Sequence, residues 1–479
     1  VLGVESEVLW LPDTFGYTAA MPQILKGCGV RYLVTQKIFW SYNEGDPFTY
    51  HYFNWEGMEG TKIVSFLPTS STYRKDPEEI NNSWNNRTQK RELDAFLLPY
   101  GYGDGGGGPS RDFIEYAKRQ ENLEGGAKVK MAGPGEFFRD MEKQGGPVHT
   151  YVGELYFSAH RGTYTSQARI KQYNRKCELA LREMEMWGAL AEAKGIPYER
   201  DKADALWKEL LLHQFHDILP GSSIARVYEE AEQALGAVLT DAGKLAEGSA
   251  KALRDQSAEK AVTVFNSLGF ARKELVSLPE CFASGAETAD GEPIPVQAAQ
   301  GTVKALVTIP SCGAVTLVPC ETAGSLPEGA SIAVTEDGYR MENALIAAEI
   351  NRNGEVTSFV LKGSGREFAA SPMNRFRMYK DVPRMFDAWD IDSNYVDQEV
   401  EAAADITTEI LAEGLEAVLR VKGRIGSSFF TQDIRLRADS RRLEFETEID
   451  CRELHRLMKT VFPAAGYADN GLIAITSGY

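Results

Sequence analysis

The sequence contains no long apolar run and no excess of basic residues, and each absence argues against a class of function. No stretch approaches about eighteen consecutive apolar residues, so no segment is predicted to span a bilayer. The formal net charge of −17 disfavours nucleic-acid and anionic-membrane partners, because phosphate binding needs clustered Lys and Arg. A chain with 43% hydrophobic and 25% charged residues is typical of globular proteins, and the acidic balance suits a neutral ligand such as a sugar.

Paired cysteine motifs are also absent. The six cysteines are scattered without a C-x-x-C pair, at Cys28, Cys177, Cys281, Cys312, Cys320 and Cys451. Cys312 and Cys320 are spaced so that a strand pair would allow a bridge, but free buried thiols in a reducing compartment are the favoured interpretation. The chain starts at Val1 without a readable export signal and stops at Tyr479 without a closing element. We therefore expect part of a longer, cytoplasmic protein, with export left open.

The first 147 residues alternate short apolar strands with helical stretches. The predicted strands are 8–11, 32–35, 52–55, 62–66 and 96–99, and the predicted helices are 19–27, 79–95 and 110–119. Such alternation favours a parallel sheet with catalytic groups at the carboxyl ends of its strands. Asp13 and Asp104 each follow a predicted strand end, which is the reason to pair them.

Two further regions have different periodicities. Residues 148–258 predict a three-helix bundle, because apolar residues recur at spacings of three and four, as at Ile170, Cys177 and Leu181. From residue 259 to 479 the apolar period changes to two, and many short strands without helices between them predict antiparallel β-sandwich structure. The fold class is therefore multidomain, with an α/β part, an all-α part and an all-β part.

Two distant segments carry the most informative side chains. The run WLPDTFGYTAA places Asp13 in a Pro/Gly turn after an apolar strand, and QFHDILPGSS places His216 beside Asp217. One carboxylate and one imidazole make half of a tetrahedral zinc site, which needs further N or O ligands. The residues alone leave alternatives open, namely a helix N-cap for Asp13 and a packed core histidine on a helix for His216.

Asp104 lies in a glycine-rich loop, GYGDGGGGP. Glycine permits positive φ and lets the backbone approach a ligand closely. Phosphate binding is disfavoured, because the Lys-Ser/Thr ending of a P-loop is absent and no G-x-G-x-x-G opens the next helix. A general acid/base and a flexible turn both remain open for Asp104.

Four blocks in one order resemble glycoside hydrolase family 38, the retaining α-mannosidases. They are LWLPDTFGY around Asp13, LPYGYGDGGGGP around Asp104, HRGTYTSQ from His160, and QFHD around His216. A fainter similarity continues through FDAWDID at 386–392. The resemblance implies a partial (β/α) barrel followed by a three-helix bundle and a β-sandwich. It also implies a zinc-assisted double displacement that hydrolyses terminal α-linked mannose from oligosaccharides.

The resemblance also implies roles for individual residues. Asp13 corresponds to the nucleophile and a zinc ligand, His216 to a zinc ligand, and Asp104 to the general acid/base. Some family members carry two adjacent acids where this chain has Asp104-Gly105. The expected substrate contacts are Phe15, Lys37, Arg161, Tyr164 and Asp217. Trp389 and Asp390 are a further hypothesis for the sugar pocket.

One feature of the family is missing from the sequence. The family takes two more zinc ligands from a His-x-Asp motif on the first barrel strand, and none of the six histidines here has aspartate two positions later. We expect that strand upstream of Val1. The chain as written is therefore expected to bind zinc weakly and to turn over poorly.

Two other function classes compete with this prediction. A metal-dependent hydrolase of the carbohydrate-deacetylase type also combines Asp and His on a strand-rich barrel. A non-catalytic carbohydrate-binding protein that has lost its metal is the second alternative. The expected partner is a mannose-containing oligosaccharide and the expected cofactor is Zn²⁺, without nucleic acid or membrane; a homo-oligomer is left open.

Overall fold

A computed structural model describes residues 3–40, 48–69, 76–104, 106–254, 260–299, 301–322, 324–325 and 328–466. These residues fall into two compact units. The first contains the described residues up to Gly162 together with Trp389–Ser393, and the second contains Thr163–Ala388 and the described residues from Asn394 onward. Within these ranges, no helix has both the length and the apolar character that crossing a membrane requires.

The first unit is built on a five-stranded mixed sheet in the order β1-β3-β5-β4-β6. Strands β1, β3 and β5 are parallel, whereas β4 runs antiparallel to β5 and parallel to β6, and β2 pairs with β7. The strands are β1 (Val8–Trp10), β2 (Gly16–Tyr17), β3 (Tyr32–Val34), β4 (Tyr52–Glu56), β5 (Lys62–Phe66), β6 (Thr150–Val152) and β7 (Leu155–Tyr156). The predicted partial barrel stays a prediction.

Four helices accompany this sheet, and local sequence explains where they start. They are α1 (Met21–Gly27), α2 (Pro77–Asn86), α3 (Arg111–Arg119) and α4 (Pro134–Lys143). Asp76 caps α2 by accepting the Glu79 N–H at 2.9 Å, and proline occupies the first turn of α1, α2 and α4. The ring of Phe138 on α4 stacks on Tyr32 of the sheet with centroids 4.4 Å apart, which buries one sheet face.

Two sequence predictions in this unit were wrong. The helix predicted over 79–95 ends at Asn86, and Gln89 beyond it binds the backbone at and just before the start of strand β4. Its side-chain oxygen accepts the N–H groups of His51 (2.7 Å) and Tyr52 (2.9 Å). Residues 96–99 form no ladder with any described strand, and Pro99 lacks the N–H that a ladder needs. Asp104 therefore does not follow a strand end, and helix α4 and strand β6 had not been predicted.

The second unit begins with the three helices that the apolar spacing predicted. They are α5 (Ala168–Ala193), α6 (Arg200–His213) and α7 (Ala225–Leu253). Their apolar faces pack into one core that contains Ile170, Cys177, Leu181, Leu210 and Leu235. Burial of these faces stabilises the helices more than intrinsic propensity does.

The rest of the second unit consists of antiparallel sheets, as predicted. The first strands are β8 (Val262–Asn266), β9 (Arg272–Leu278), β10 (Ala286–Thr288), β11 (Pro293–Ile294), β12 (Val296–Ala299), β13 (Thr302–Ile309), β14 (Gly313–Pro319), β15 (Ser331–Val334), β16 (Gly338–Glu342) and β17 (Ile346–Asn351). The others are β18 (Val356–Leu361), β19 (Arg366–Glu367), β20 (Arg375–Lys380), β21 (Glu399–Ala402), β22 (Ala404–Ala412), β23 (Glu416–Ile425), β24 (Ser428–Arg437), β25 (Leu443–Asp450) and β26 (Arg456–Val461). Alternate residues fill two apolar cores, one around Phe282 and one around Met341.

The cysteines are unpaired, but the expectation of buried thiols holds for Cys177 alone. Cys177 is fully buried in the helical core, where burial raises the pKa of its thiol to about 11. The other five thiols are exposed or half-buried, and Cys312 and Cys320 form no bridge. The strand-pair disulfide is therefore absent from the structure.

We expect Leu235→Ala to destabilise the helical core strongly. Leu235 is 0% exposed, so truncation removes apolar contacts and leaves a cavity, which typically lowers the free energy of unfolding by about 2–4 kcal/mol. Chemical denaturation followed by circular dichroism at 222 nm measures the change. The matched control is Leu190→Ala on α5, because Leu190 is 45% exposed and its truncation should cost less than about 1 kcal/mol. Equal losses in the two variants would contradict this assignment of the core.

Candidate active site

Asp13 and Lys37 follow the carboxyl ends of the neighbouring parallel strands β1 and β3. Beyond the strands, the N–H groups of Leu11 and Gln36 still donate across the pair, each at 3.1 Å. The Tyr17 hydroxyl donates to the Leu11 carbonyl at 2.7 Å, which ties the turn to the strand end. The two side chains consequently lie at the same edge of the sheet, where functional groups of parallel sheets collect.

The structure excludes the N-cap alternative for Asp13. Helix α1 begins at Met21, its N-cap is Ala20, and no side chain caps it. Asp13 instead accepts from Lys37, with Nζ to Oδ1 at 2.9 Å. Its side chain remains 60% exposed, so the carboxylate is held on one side and accessible on the other.

The ammonium of Lys37 is buried, with a side chain that is 6% exposed. Besides Asp13, its Nζ lies 3.3 Å from the ring centroid of Trp40 and 5.6 Å from that of Phe15. A buried cation is costly unless a counter-charge and polarisable groups replace its water. Lys37 is therefore a fixed positive charge next to Asp13 and differs from an ordinary solvated lysine.

Phe15 is part of an aromatic cluster behind this ion pair. Its ring centroid lies 4.7 Å from that of His160, 5.5 Å from Trp389 and 5.8 Å from Phe157. The contacts with His160 and Trp389 are edge-to-face, and such packing fixes ring orientation as well as burying area. Phe15 is thus held rigidly two residues after Asp13, while its predicted stacking on a sugar stays a prediction.

His160 and Asp390 form a buried pair beneath the cluster, with side chains 0% and 1% exposed. The Asp390 Oδ1 lies 2.5 Å from His160 Nδ1 and also accepts the His160 backbone N–H at 3.0 Å. Burial lowers the pKa of His160, and the hydrogen bond to Asp390 opposes that shift only in part. A neutral imidazole that donates from Nδ1 keeps its lone pair on Nε2.

The other predicted residues of the first unit occupy different environments. Arg161 opens a short 3₁₀ turn (Arg161–Tyr164), and its buried Nε hydrogen-bonds to no residue in the described part of the chain. Asp104 is exposed in a turn that is closed by pairing of Tyr102 with Gly107. Asp104 is thus an exposed residue of this turn.

His216 and Asp217 lie in the second unit, in the turn after helix α6. Because α6 ends at His213, His216 is exposed beside the Phe215 ring, and its expected position on a helix was wrong. Asp217 has φ 65°, a conformation that Asp tolerates better than most residues. Its carboxylate accepts from the Ser222 hydroxyl at 2.6 Å. The convergence of Asp13 and His216 on one cation stays a prediction.

Residues 163–167, the end of the HRGTYTSQ block, meet the QFHDILPG block within the second unit. Gly221 has φ 88°, and a Cβ there would lie 2.4 Å from the Ser166 carbonyl oxygen, so a side chain cannot fit. A cavity of about 370 Å³ between the blocks is lined by Thr163, Tyr164, Lys171, Asn174, Leu219 and Pro220. Burial lowers the pKa of Lys171 to about 8.

A larger cavity of about 850 Å³ in the first unit is lined by none of the predicted site residues.

Three family models match consecutive parts of the chain. They are the glycosyl hydrolases family 38 N-terminal domain over residues 1–154, the alpha mannosidase middle domain over 158–253, and the glycosyl hydrolases family 38 C-terminal domain over 341–470. The chain belongs to glycosyl hydrolase family 38.

Curated relatives agree with this membership, and a solved structure shares the fold. The chain is 33% identical to alpha-mannosidase 2C1 of Mus musculus, over 95% of this chain and 43% of the relative, and 32% identical to that of Homo sapiens, over 98% and 45%. It thus spans less than half the length of these relatives. A crystal structure of an alpha-mannosidase from Enterococcus faecalis V583 shares the fold, with a TM-score of 0.68 at 18% identity over 96% of this chain and 63% of that one.

Sequence reasoning missed part of the site of this family 38 chain. No signal in the sequence pointed to Trp40, which directly follows a short 3₁₀ turn (Lys37–Phe39) and whose ring lies against the Lys37 ammonium. The sequence identified His160 as the first residue of the HRGTYTSQ block and assigned it no role in the site. Asp390 was a hypothesis for the sugar pocket, whereas its carboxylate contacts His160. The signal available was the similarity through residues 386–392.

Two buried histidines give the protein a predictable pH dependence. Burial lowers the pKa values of His51 and His160 from their usual value of about 6.5. Below that pH the unfolded chain takes up protons that the folded chain resists, so the free energy of unfolding falls as pH decreases. Scanning calorimetry between pH 7.5 and 5.5 should show a falling melting temperature, and His51→Gln should flatten this dependence.

The matched control for this measurement is His455→Asn. His455 is exposed and has φ 54°, which Asn adopts more readily than most residues. We expect the control to keep the slope of the original protein. An unchanged slope in His51→Gln would refute the contribution of the buried imidazole.

Proposed function

We propose that the protein is a retaining α-mannosidase that hydrolyses terminal α-linked mannose from oligosaccharides. The observation that carries the proposal is the accessible carboxylate of Asp13, held by the buried Lys37 ammonium at 2.9 Å at the edge of a parallel sheet in a family 38 chain. The names of the curated relatives, alpha-mannosidases, support the same substrate class.

In the proposed first step, Asp13 attacks carbon one of mannose while Asp104 protonates the departing glycosidic oxygen. In the second step, Asp104 takes a proton from water, and that water displaces Asp13 and releases mannose with retained configuration. Lys37 orients Asp13 through one carboxylate oxygen. Its fixed charge also favours the carboxylate as a leaving group in the second step.

The remaining predicted residues are proposed as substrate contacts. Phe15 offers an apolar ring edge two residues after the nucleophile, and Arg161 offers a buried Nε that lacks a hydrogen-bond partner among the described residues, which suits a sugar hydroxyl. Tyr164, 59% exposed, and Asp217 offer further polar groups. Buried polar groups that a ligand satisfies are a source of specificity.

A zinc ion is implied by the family, but the residues described here do not make up a zinc site. Within the described ranges, no group of three or more His, Cys, Asp or Glu side chains is placed to hold a metal, and a structural or catalytic zinc needs at least three protein ligands. The proposal that Asp13 and His216 contribute to one zinc site is decided by the zinc content of the full-length protein.

We further propose that the parallel strands belong to a (β/α) barrel and that the domains extend over 1–147, 148–258 and 259–479. A cytoplasmic location is proposed from the six unpaired cysteines. A mannose-containing oligosaccharide is the proposed partner, and a homo-oligomer remains a prediction.

In the full-length protein, Asp13→Asn should abolish mannosidase activity without unfolding the protein. The amide keeps an acceptor oxygen for Lys37 but cannot form the glycosyl ester, so kcat/KM on an aryl α-mannoside should fall by about 10³-fold or more. In the unmodified protein, a fluorinated mannosyl fluoride should leave a covalent label on Asp13, visible by mass spectrometry of peptides.

Asp112→Asn is the control for this pair of measurements, since Asp112 is an exposed acid in the first turn of α3. It should keep full activity and full labelling. Activity of Asp13→Asn at the original rate would refute the nucleophile. A hydrolase without a covalent adduct on any residue would favour the deacetylase-type alternative.

The variant Asp104→Ala distinguishes the two roles proposed for Asp104, a general acid/base and a structural residue of the turn. Loss of the general acid should lower kcat/KM by about 10²–10⁴-fold for a mannoside with a poor leaving group. A dinitrophenyl mannoside, which departs without protonation, should be cleaved to the enzyme-bound sugar at a rate within about tenfold of the original. Added azide should then release α-mannosyl azide. Equal losses on both substrates, without azide rescue, would show that Asp104 does not act as the acid/base.

A further inference from the structure

We propose that Asp390 is a positioning residue of the active site, which acts through His160 to hold the aromatic cluster that fixes Lys37 and Phe15 beside Asp13. The inference rests on the proposed nucleophilic role of Asp13. It makes a residue 377 positions after that nucleophile in the sequence part of the same catalytic arrangement.

The first step of the argument is a backbone clasp formed by His160, Gly162, Trp389 and Asp390. Asp390 Oδ1 contacts both the ring Nδ1 and the backbone N–H of His160, at 2.5 and 3.0 Å. The Gly162 N–H donates to the Trp389 carbonyl at 2.7 Å. Three hydrogen bonds over two short segments fix the clasp more tightly than packing alone would.

The clasp also holds a backbone that would otherwise relax. His160 has φ 54°, a left-handed conformation that costs a non-glycine residue free energy unless its surroundings impose it. A Cβ on Gly162 would lie 2.8 Å from the Trp389 carbonyl oxygen, so the two segments approach as closely as glycine permits. The Asp390 carboxylate, which accepts the backbone N–H, therefore helps to set the conformation at His160.

The second step is transmission from the clasp to the ion pair. The rings of His160 and Trp389 pack on Phe15, with centroids 4.7 and 5.5 Å from it. Phe15 and Trp40 flank the Lys37 ammonium, and His160 also lies edge-on to Trp40 at 6.4 Å. A shift of the His160 ring thus moves both aromatic neighbours of the cation that orients Asp13.

The third step concerns the free-energy cost of burying the His160–Asp390 pair. A carboxylate that is 1% exposed loses nearly all its hydration, and hydrophobic groups of similar volume are often at least as stabilising as buried charge. Buried charged groups and strained backbone that occur together next to a reactive carboxylate are typical of functional sites. The arrangement is better explained by geometry for catalysis than by stability.

The test uses Asp390→Ala in the full-length protein. Loss of the acceptor removes the hydrogen bonds by which Asp390 orients His160, so kcat on an aryl α-mannoside should fall about 10- to 100-fold, with KM changed less than about threefold. Labelling of Asp13 by a fluorinated mannosyl fluoride should slow by a similar factor. This kcat-selective loss is the readout that a purely structural role would not give.

Two further variants keep the test decisive if Asp390→Ala is less stable. Asp390→Asn retains an oxygen that can accept both His160 donors, and it should recover most of the lost kcat. Asp433→Asn is the matched control, because Asp433 is another buried carboxylate, 6% exposed, which accepts from Arg420 at 2.7 and 2.9 Å in the second unit. It should lower the melting temperature with little change in kcat per folded molecule.

The proposal is overturned if folded Asp390→Ala keeps the original kcat and labelling rate. It is also overturned if kcat simply follows melting temperature across all three variants. Failure of the proposed function gives a different result, because the unmodified protein would then show no mannosidase activity and no label on Asp13.

Discussion

The buried ammonium of Lys37 is the constraint around which the candidate site is arranged. A cation removed from water must find a counter-charge and polarisable neighbours nearby. Here Asp13 provides the charge and the face of Trp40 provides the second partner, at 2.9 and 3.3 Å. Because Lys37 cannot leave this position without losing both, it fixes one oxygen of Asp13 and leaves the carboxylate accessible for chemistry.

The aromatic cluster extends this constraint over a long stretch of sequence. Phe15, Trp40, Phe157 and Trp389 come from four separate segments, and they meet around the His160 ring. The His160–Asp390 hydrogen bond joins residues 230 positions apart. The first unit therefore includes a short segment, Trp389–Ser393, from a much later part of the sequence.

Repetition decided which parts of the fold were predictable. The bundle was predicted because a helix that buries one face must repeat apolar residues at spacings of three and four positions. Helices α5, α6 and α7 do so over 14 to 29 residues. The antiparallel strands were predicted because a strand with one buried face must alternate apolar and polar residues. The prediction for residues 87–99 was wrong. Gln89 binds the backbone N–H groups of His51 and Tyr52 through its side chain, and such bonds leave no periodic pattern in the sequence.

The sequence by itself established the family resemblance, the order of α/β, helical and antiparallel-strand regions along the chain, and Asp13 and Lys37 as residues at strand ends. Those inferences depend on local order along the chain, which the printed residues contain. The pairing of Lys37 with Trp40, the exposure of His216 and the contact of Asp390 with His160 emerged only from the folded chain. Such contacts depend on which segments burial brings together, and neither spacing nor composition records that outcome.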